Sequence, residues 1–147
     1  MQRRDFLKNS ALTAGLVLTA IPTTASAKKM TYKNAYKSIV GSKKVSKDSD
    51  KIKLVAPEIA ENGKVVPMKV SLNGIHASKV KSLHLIASEN SNPRIADVFF
   101  TSANEEVYFQ TRFKMGKSQD LVALIVMKDG SVLEKKKNIK ITIGGCG

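Results

Sequence analysis

One cysteine occurs in the chain, Cys146, and it stands in a run unlike any other in it: Ile143-Gly144-Gly145-Cys146-Gly147. A lone thiol can attack as a nucleophile, exchange disulfides or carry another group covalently on sulfur, in each case through its thiolate. Gly144, Gly145 and Gly147 permit nearly any backbone angle and leave the sulfur without bulky neighbours. Three extended residues carry it about 10 Å beyond Ile143. A thiol on such a tether can enter a narrow cavity in another protein. The remaining chemistry-bearing residues are scattered. His76 and His84 are the only histidines, no cysteine lies near them, and neither a CxxC nor an HExxH spacing occurs, so no metal site is expected. His84 sits in an alternating run and reads as a structural histidine with its ring satisfied. There is no G-x-S-x-G elbow and no phosphate loop. Glu105 and Glu106, adjacent on an expected strand, would point to opposite faces and make a poor acid/base pair. The sequence holds no self-contained active site, and the chain does not read as an enzyme.

The setting of the thiol sharpens this. Residues 1–27 show a basic start (Arg3, Arg4, Lys8), an apolar run from Ala11 to Ile21, and the small-x-small signal Ala25-Ser26-Ala27. That is the layout of a secretory signal peptide. Arg3-Arg4 followed by Asp5-Phe6-Leu7-Lys8 matches the twin-arginine export pattern, with Gln2 where Ser or Thr is usual. The apolar run is shorter than the roughly 20 residues a membrane span needs, and it holds Thr13, Thr19 and is followed by Pro22. Export to the periplasm is expected, with no span in the mature protein. Cleavage after Ala27 leaves 120 of 147 residues, enough for one domain with a modest core. Exported domains usually pair their cysteines. A single cysteine excludes an intrachain disulfide and points to intermolecular pairing or a reactive group.

The net charge is +13; losing the leader, with three cations and one anion, leaves +11. Such a surface attracts anions and acidic proteins. Nucleic acid is not an expected partner. The chain is exported, has no Trp, and does not interleave aromatics with Lys or Arg.

The elements that must position Cys146 follow from periodicity. Tyr32, Ala35, Tyr36, Ile39 and Val40 fall at helical spacing, with Thr31 to cap the start and Gly41 to close the end. This short helix must dock its apolar face to persist. Residues 42–50 read as a polar linker. From Lys51 the period becomes two, with strand runs at 51–56, 66–72, 81–87, 94–100, 107–113, 121–127, 131–134 and 139–143. Turn signals stand between them: Glu61-Asn62-Gly63, Asn73-Gly74, Ser91-Asn92-Pro93, Met115-Gly116 and a hairpin at Asp129-Gly130. Seven or eight short strands at this spacing predict an all-β fold, an immunoglobulin-like antiparallel β-sandwich. The expected organisation is a signal peptide over 1–27, helix and linker over 28–50, the sandwich over 51–143 and the arm over 144–147.

The tail Gly144-Gly145-Cys146-Gly147 resembles the swinging arm of the SoxY family, one subunit of the SoxYZ sulfur carrier of bacterial thiosulfate oxidation. Pro57-Glu58-Ile59-Ala60-Glu61-Asn62-Gly63-Lys64-Val65-Val66-Pro67 is similar to that family's P-x-I-A-E-N-G-x-x-V-P segment. Asn92-Pro93, Thr111-Arg112, Ser118-Gln119 and Asp129-Gly130 fall in the family's order. The resemblance implies a carrier without a cofactor of its own, holding sulfur intermediates covalently on Cys146. It implies a heterodimer with a SoxZ-like immunoglobulin-like subunit. It also implies three serving enzymes: a c-type cytochrome complex that couples thiosulfate to the thiol, a manganese-dependent hydrolase that releases sulfate, and a molybdenum-containing sulfur dehydrogenase. The alternatives are an exported structural module that dimerises through a Cys146 disulfide, and a small thiol-disulfide enzyme. The latter lacks a resolving cysteine. In the free arm the thiol is expected to be a sluggish nucleophile. Its nearest cation is Lys140 and the carboxylate after Gly147 disfavours the thiolate, so activation falls to partner pockets.

Overall fold

The computed structural model describes residues 28–143. The first element is helix α1, Tyr32–Val40, where the periodicity places it. The Thr31 hydroxyl accepts the Asn34 N–H at 3.3 Å. Gly41, at φ 56°, ends the helix by donating its N–H to the Lys37 carbonyl at 2.8 Å. That left-handed turn favours glycine.

Nine strands follow: β1 (Val45–Ser46), β2 (Ile52–Val55), β3 (Ile59–Asn62), β4 (Val66–Leu72), β5 (Val80–Ala87), β6 (Arg94–Phe99), β7 (Tyr108–Phe113), β8 (Gln119–Met127) and β9 (Val132–Ile143). One sheet runs β1-β9-β8-β5-β6, with β3 also paired to β9; the other runs β2-β4-β7. Alternation puts Leu83, Leu85, Leu121, Ala123, Ile125 and Ile139 of the larger sheet against Ile52, Val66, Met68, Val70 and Phe113 of the smaller one. This is the expected sandwich. A second core lies on the outer face of the larger sheet, where Ala35, Ile39 and Val40 of α1 pack with Ile86, Val122, Leu124, Val126 and Val132. β8 is therefore buried on both faces, which explains its nearly continuous apolar run.

Three details depart from the periodicity. The runs at 131–134 and 139–143 are one twelve-residue strand, β9. Lys135, Lys136 and Lys137 interrupt the apolar pattern but not the ladder, since they pair in register with Ala123, Val122 and Leu121. The polar segment 42–50 contains β1, and the Pro57–Pro67 block contains β3. Both lie parallel to β9, so the sandwich is not wholly antiparallel. Segments of two and four residues are too short to show a period. Glu105 and Glu106 precede β7 in a loop rather than on a strand, in a segment that begins with a turn held by Asn104 Oδ1 accepting the Thr101 N–H at 2.9 Å.

Candidate functional site

Arg3, Arg4, Gly144, Gly145, Cys146 and Gly147 lie outside the described residues. What the structure builds is the root from which the arm leaves. Along β9 the side chains rise out of the core: Ile139 is fully buried, Ile141 half-buried, and Ile143 is 69% exposed. The backbone stays fastened as the side chains emerge. The Lys140 N–H donates to the Glu58 carbonyl and the Ile141 N–H to Ser118 Oγ, both at 2.8 Å. The Thr142 hydroxyl donates to the Glu61 carbonyl at 3.0 Å. Finally the Gly63 N–H donates to the Ile143 carbonyl at 3.0 Å, and Gly63 in turn accepts the Met115 N–H at 2.7 Å. The root is thus clamped between β3 and the 114–118 loop.

An amide pair holds the loops around it. The Asn90 side chain donates to the Lys114 carbonyl and accepts from Gln119 Nε2, both at 2.7 Å. Gln119, buried, accepts the Glu89 N–H at 2.7 Å. Beside these loops, where edge strands β6 and β7 face each other across the open side of the sandwich, lies a hollow of about 300 Å³. Asn90, Asn92, Arg94, Thr111, Arg112 and Lys114 line it. Segments scattered in sequence therefore meet at one end of the molecule: Pro57–Pro67 and Ser118-Gln119 at the root, Asn92-Pro93 and Thr111-Arg112 at the hollow. Asp129-Gly130 forms the hairpin at the opposite end, with Gly130 at φ 88°. Sequence reading did not single out Arg94 and Lys114. In a chain with 25 Lys and Arg, no local signal separates a pocket cation from a solvated one.

His84 takes the structural role expected of it, and His76 caps a turn. His76 Nδ1 accepts the Ser78 N–H at 3.1 Å and starts the 3₁₀ turn Ala77–Lys79. His84 is buried, with Nδ1 2.5 Å from Asp97 Oδ1 and Nε2 2.8 Å from Ser82 Oγ. Arg94 completes the chain, 2.6 Å from the same Asp97 oxygen. In the tautomer with its proton on Nδ1, His84 donates to Asp97 and accepts from the Ser82 hydroxyl. These atoms copy a nucleophile–base–carboxylate order. Ser82, however, is only 3% exposed, so a substrate cannot reach its oxygen. Burial pushes the Asp97 carboxyl up, but the hydrogen bonds and charges of Arg94 and His84 outweigh it and hold it below the usual range. On the other side of α1, Tyr36 donates to buried Glu134 at 2.5 Å. Burial and that bond push the Tyr36 phenol far up. Among the described residues no group of three His, Cys, Asp or Glu could hold a metal ion, and no helix is long and apolar enough to cross a membrane.

The described sandwich ends in a strand clamped up to its last residue, and in the sequence Gly144-Gly145-Cys146-Gly147 follows it. The profile of the family described as sulfur oxidation protein SoxY matches residues 36–146, and the chain belongs to that family. The structure titled sulfur carrier protein SoxY from Chlorobium limicola f thiosulfatophilum is similar at TM-score 0.60 and 27% identity, over 80% of this chain and all of that one. A superoxide reductase (neelaredoxin) from Ignicoccus hospitalis is similar at TM-score 0.51 and 21% identity, over 66% of this chain and 94% of that one. A superoxide reductase structure from Thermotoga maritima is similar at TM-score 0.56 and 14% identity, over 66% and 93%. These two share the fold alone. No curated protein matches the chain. Family and fold together make the chain a sulfur carrier of sulfur oxidation.

Proposed function

We propose that the chain is a periplasmic carrier that holds the intermediates of thiosulfate oxidation covalently on Cys146 and presents them to partner enzymes. The observation that carries this reading is the placement of the chain's one cysteine three residues beyond Ile143, a strand end whose carbonyl is still hydrogen-bonded. The described domain fastens its last strand up to Ile143, and the sequence continues from there into glycine.

The chemistry divides between carrier and partners. Coupling forms a sulfur–sulfur bond between the Cys146 thiolate and the outer sulfur of thiosulfate. The two electrons released go to a c-type cytochrome. Water then cleaves the bond to the terminal sulfone: oxygen goes to the departing sulfate, and a persulfide remains on Cys146. A manganese-dependent hydrolase serves that step, and a molybdenum-containing sulfur dehydrogenase oxidises the persulfide sulfur. The carrier supplies the thiol and the reach, and needs no cofactor of its own. A SoxZ-like subunit completes the working unit. Residues 1–27 direct twin-arginine export, so replacing Arg3 and Arg4 by lysine should leave the precursor in the cytoplasm; normal export of that variant would refute the route.

The test is intact-mass analysis of the native protein from cells oxidising thiosulfate. Sulfur or sulfonate adducts on Cys146, absent in Cys146→Ser, are expected. Finding Cys146 only as a disulfide-linked dimer would favour a structural module instead.

A further inference from the structure

The layer that covers the larger sheet is charged in one sense only. Residues 28–47 hold seven lysines and no Asp or Glu. Lys33, Lys37, Lys44 and Lys47 form no ion pair among the described residues. The nearby carboxylates are engaged elsewhere. Asp48 pairs with Lys135 at 2.8 Å. Asp120 accepts from Asn138 at 2.8 Å and lies 3.9 Å from Lys136. Glu134 is buried and bonded to the Tyr36 hydroxyl. This pattern costs α1 stability. Its first turn has no acidic residue to meet the helix dipole and carries Lys33 instead. Lys33 and Lys37, one turn apart, repel each other. A nine-residue helix has little stability to spare. A charge pattern that weakens it with no gain inside the chain points to a role outside the chain.

A cleft of about 410 Å³ opens in this layer, between α1, Lys47 and β9. Tyr32, Lys33, Tyr36, Lys47, Glu134 and Lys136 line it. Three lysines against one carboxylate leave the lining net positive. The Tyr32 and Tyr36 rings, with centroids 6.1 Å apart and planes tilted by 42°, give it an aromatic wall. A flat anionic surface such as a bilayer would meet the lysines but leave the cleft unfilled. A protein segment fits both features: its carboxylates meet the lysine rim, and an aromatic side chain packs on the tyrosine wall.

We propose that this face receives an acidic segment of a visiting protein, with carboxylates on Lys33, Lys47 and Lys136 and one aromatic side chain in the cleft. The long-range attraction speeds encounter, and the cleft fixes where the visitor sits. The surface belongs to the outer side of the larger sheet, and the inference holds whatever Cys146 carries.

The test uses the mature chain and a synthetic peptide, blocked at both ends, of alternating Glu and Asp around a central Phe. Amide NMR shifts on titration should centre on Tyr32, Lys33, Tyr36, Lys47 and Lys136. Affinity should fall at least tenfold between about 0.1 M and 1 M salt, as the screening length shrinks from about 10 Å to about 3 Å. It should fall at least tenfold in Lys33→Gln with Lys47→Gln, both exposed positions. Lys53→Gln with Lys69→Gln removes the same charge from the outer face of the smaller sheet, where both side chains are exposed, and should bind as the parent does. Exchanging the central Phe for Gly should weaken binding about tenfold, as loss of an aromatic anchor does. Equal losses in the two double variants would reduce the effect to net charge, and an unaltered affinity for the Gly peptide would remove the role of the cleft; either overturns the proposal. Tighter binding to phosphatidylglycerol vesicles, with the same dependence on Lys33 and Lys47, would overturn it in favour of a membrane contact. The titration is repeated with the SoxZ-like subunit bound. Retained binding is expected, and a blocked cleft would assign the face to that subunit instead. The native-mass experiment on Cys146 tests the carrier reading separately.

Discussion

At Ile143 the chain changes character within one residue: its carbonyl still accepts the Gly63 N–H, while its side chain is already in solvent. Everything proposed for Cys146 depends on that boundary staying sharp. Replacing Gly144 and Gly145 by valine would extend stiff, β-branched structure into the arm. Small alkylating reagents should still react with the double variant at the normal rate. Loading by the partner enzymes should slow about 10- to 100-fold, the order expected when a reacting group is misplaced by an ångström. Single-turnover loading measures this, and normal loading would refute the tether. Asp97 offers a second residue-scale test. Its folded pKa lies below the ordinary 3.8, so its carboxylate stabilises the fold above that value, and the contribution fades as pH falls through the folded pKa. Asp97→Asn should cost about 1 kcal/mol at neutral pH, discounted because the carboxylate is one-third exposed. In denaturant titrations the gap between variant and parent should close at acid pH. A gap that persists there would show that the ion pairs do not carry it.

Nine residues make α1 too short to hold itself, so its presence is a statement about docking. Burying Ile39 and Val40 contributes about 1.5–3 kcal/mol each. Tyr36 adds direction, because its phenol, pushed far up, remains protonated and donates to Glu134. Among the described residues Glu134 is the one side-chain partner of that hydroxyl, and it is buried. Tyr36→Phe should therefore destabilise by about 1–3 kcal/mol, the cost of leaving a buried acceptor unmet. Adding Glu134→Leu should recover much of the loss, since replacing both partners with apolar groups removes the unmet group. Thermal denaturation of the two variants checks this; equal losses would mean that the bond does not set the energetics. The same element-scale logic explains β9. Its three central lysines keep their ladder bonds, and Lys135 finds Asp48 at 2.8 Å, so one strand connects the hairpin at one end to the arm at the other.

Across the whole molecule, the open side of the sandwich is formed by edge strands β6 and β7. Natural edges are blunted by charge and irregularity. β6 has Arg94, Asp97 and a register shift opposite Leu85/Ile86. Phe99, at its far end, is 68% exposed all the same. Five residues separate it from Arg94, about 17 Å along the strand, which leaves the hollow clear of a partner seated there. For the heterodimer proposed above, Phe99 is the exposed aromatic on this edge whose loss can be tested. Phe99 also packs edge-to-face on His84, with 6.2 Å between ring centroids, so Phe99→Ser should cost the monomer about 0.5–1.5 kcal/mol and weaken the heterodimer at least tenfold, as loss of an aromatic anchor does. Analytical ultracentrifugation of the mixed subunits decides; undiminished association would move the interface elsewhere.

The sequence by itself determined what is local. Helix α1 and its caps were legible because period 3.6, Thr31 and Gly41 agree. Strands β4, β5, β7 and β8 were legible because alternation or a long apolar run marks a buried face. The run Gly144-Gly145-Cys146-Gly147 belongs to the sequence alone, because a single cysteine among glycines needs no fold to be noticed. Only the tertiary structure decided which segments meet. The Pro57–Pro67 block, read as a motif, became a parallel strand holding the last turn of β9 in place, because a four-residue strand draws its stability from its partner rather than from its own pattern. Arg94, Arg112 and Lys114, separated by up to 20 positions, became one cationic hollow because β6 and β7 edge two different sheets. A charge's role depends on which other charges lie within a few ångströms, and only the folded chain sets those distances.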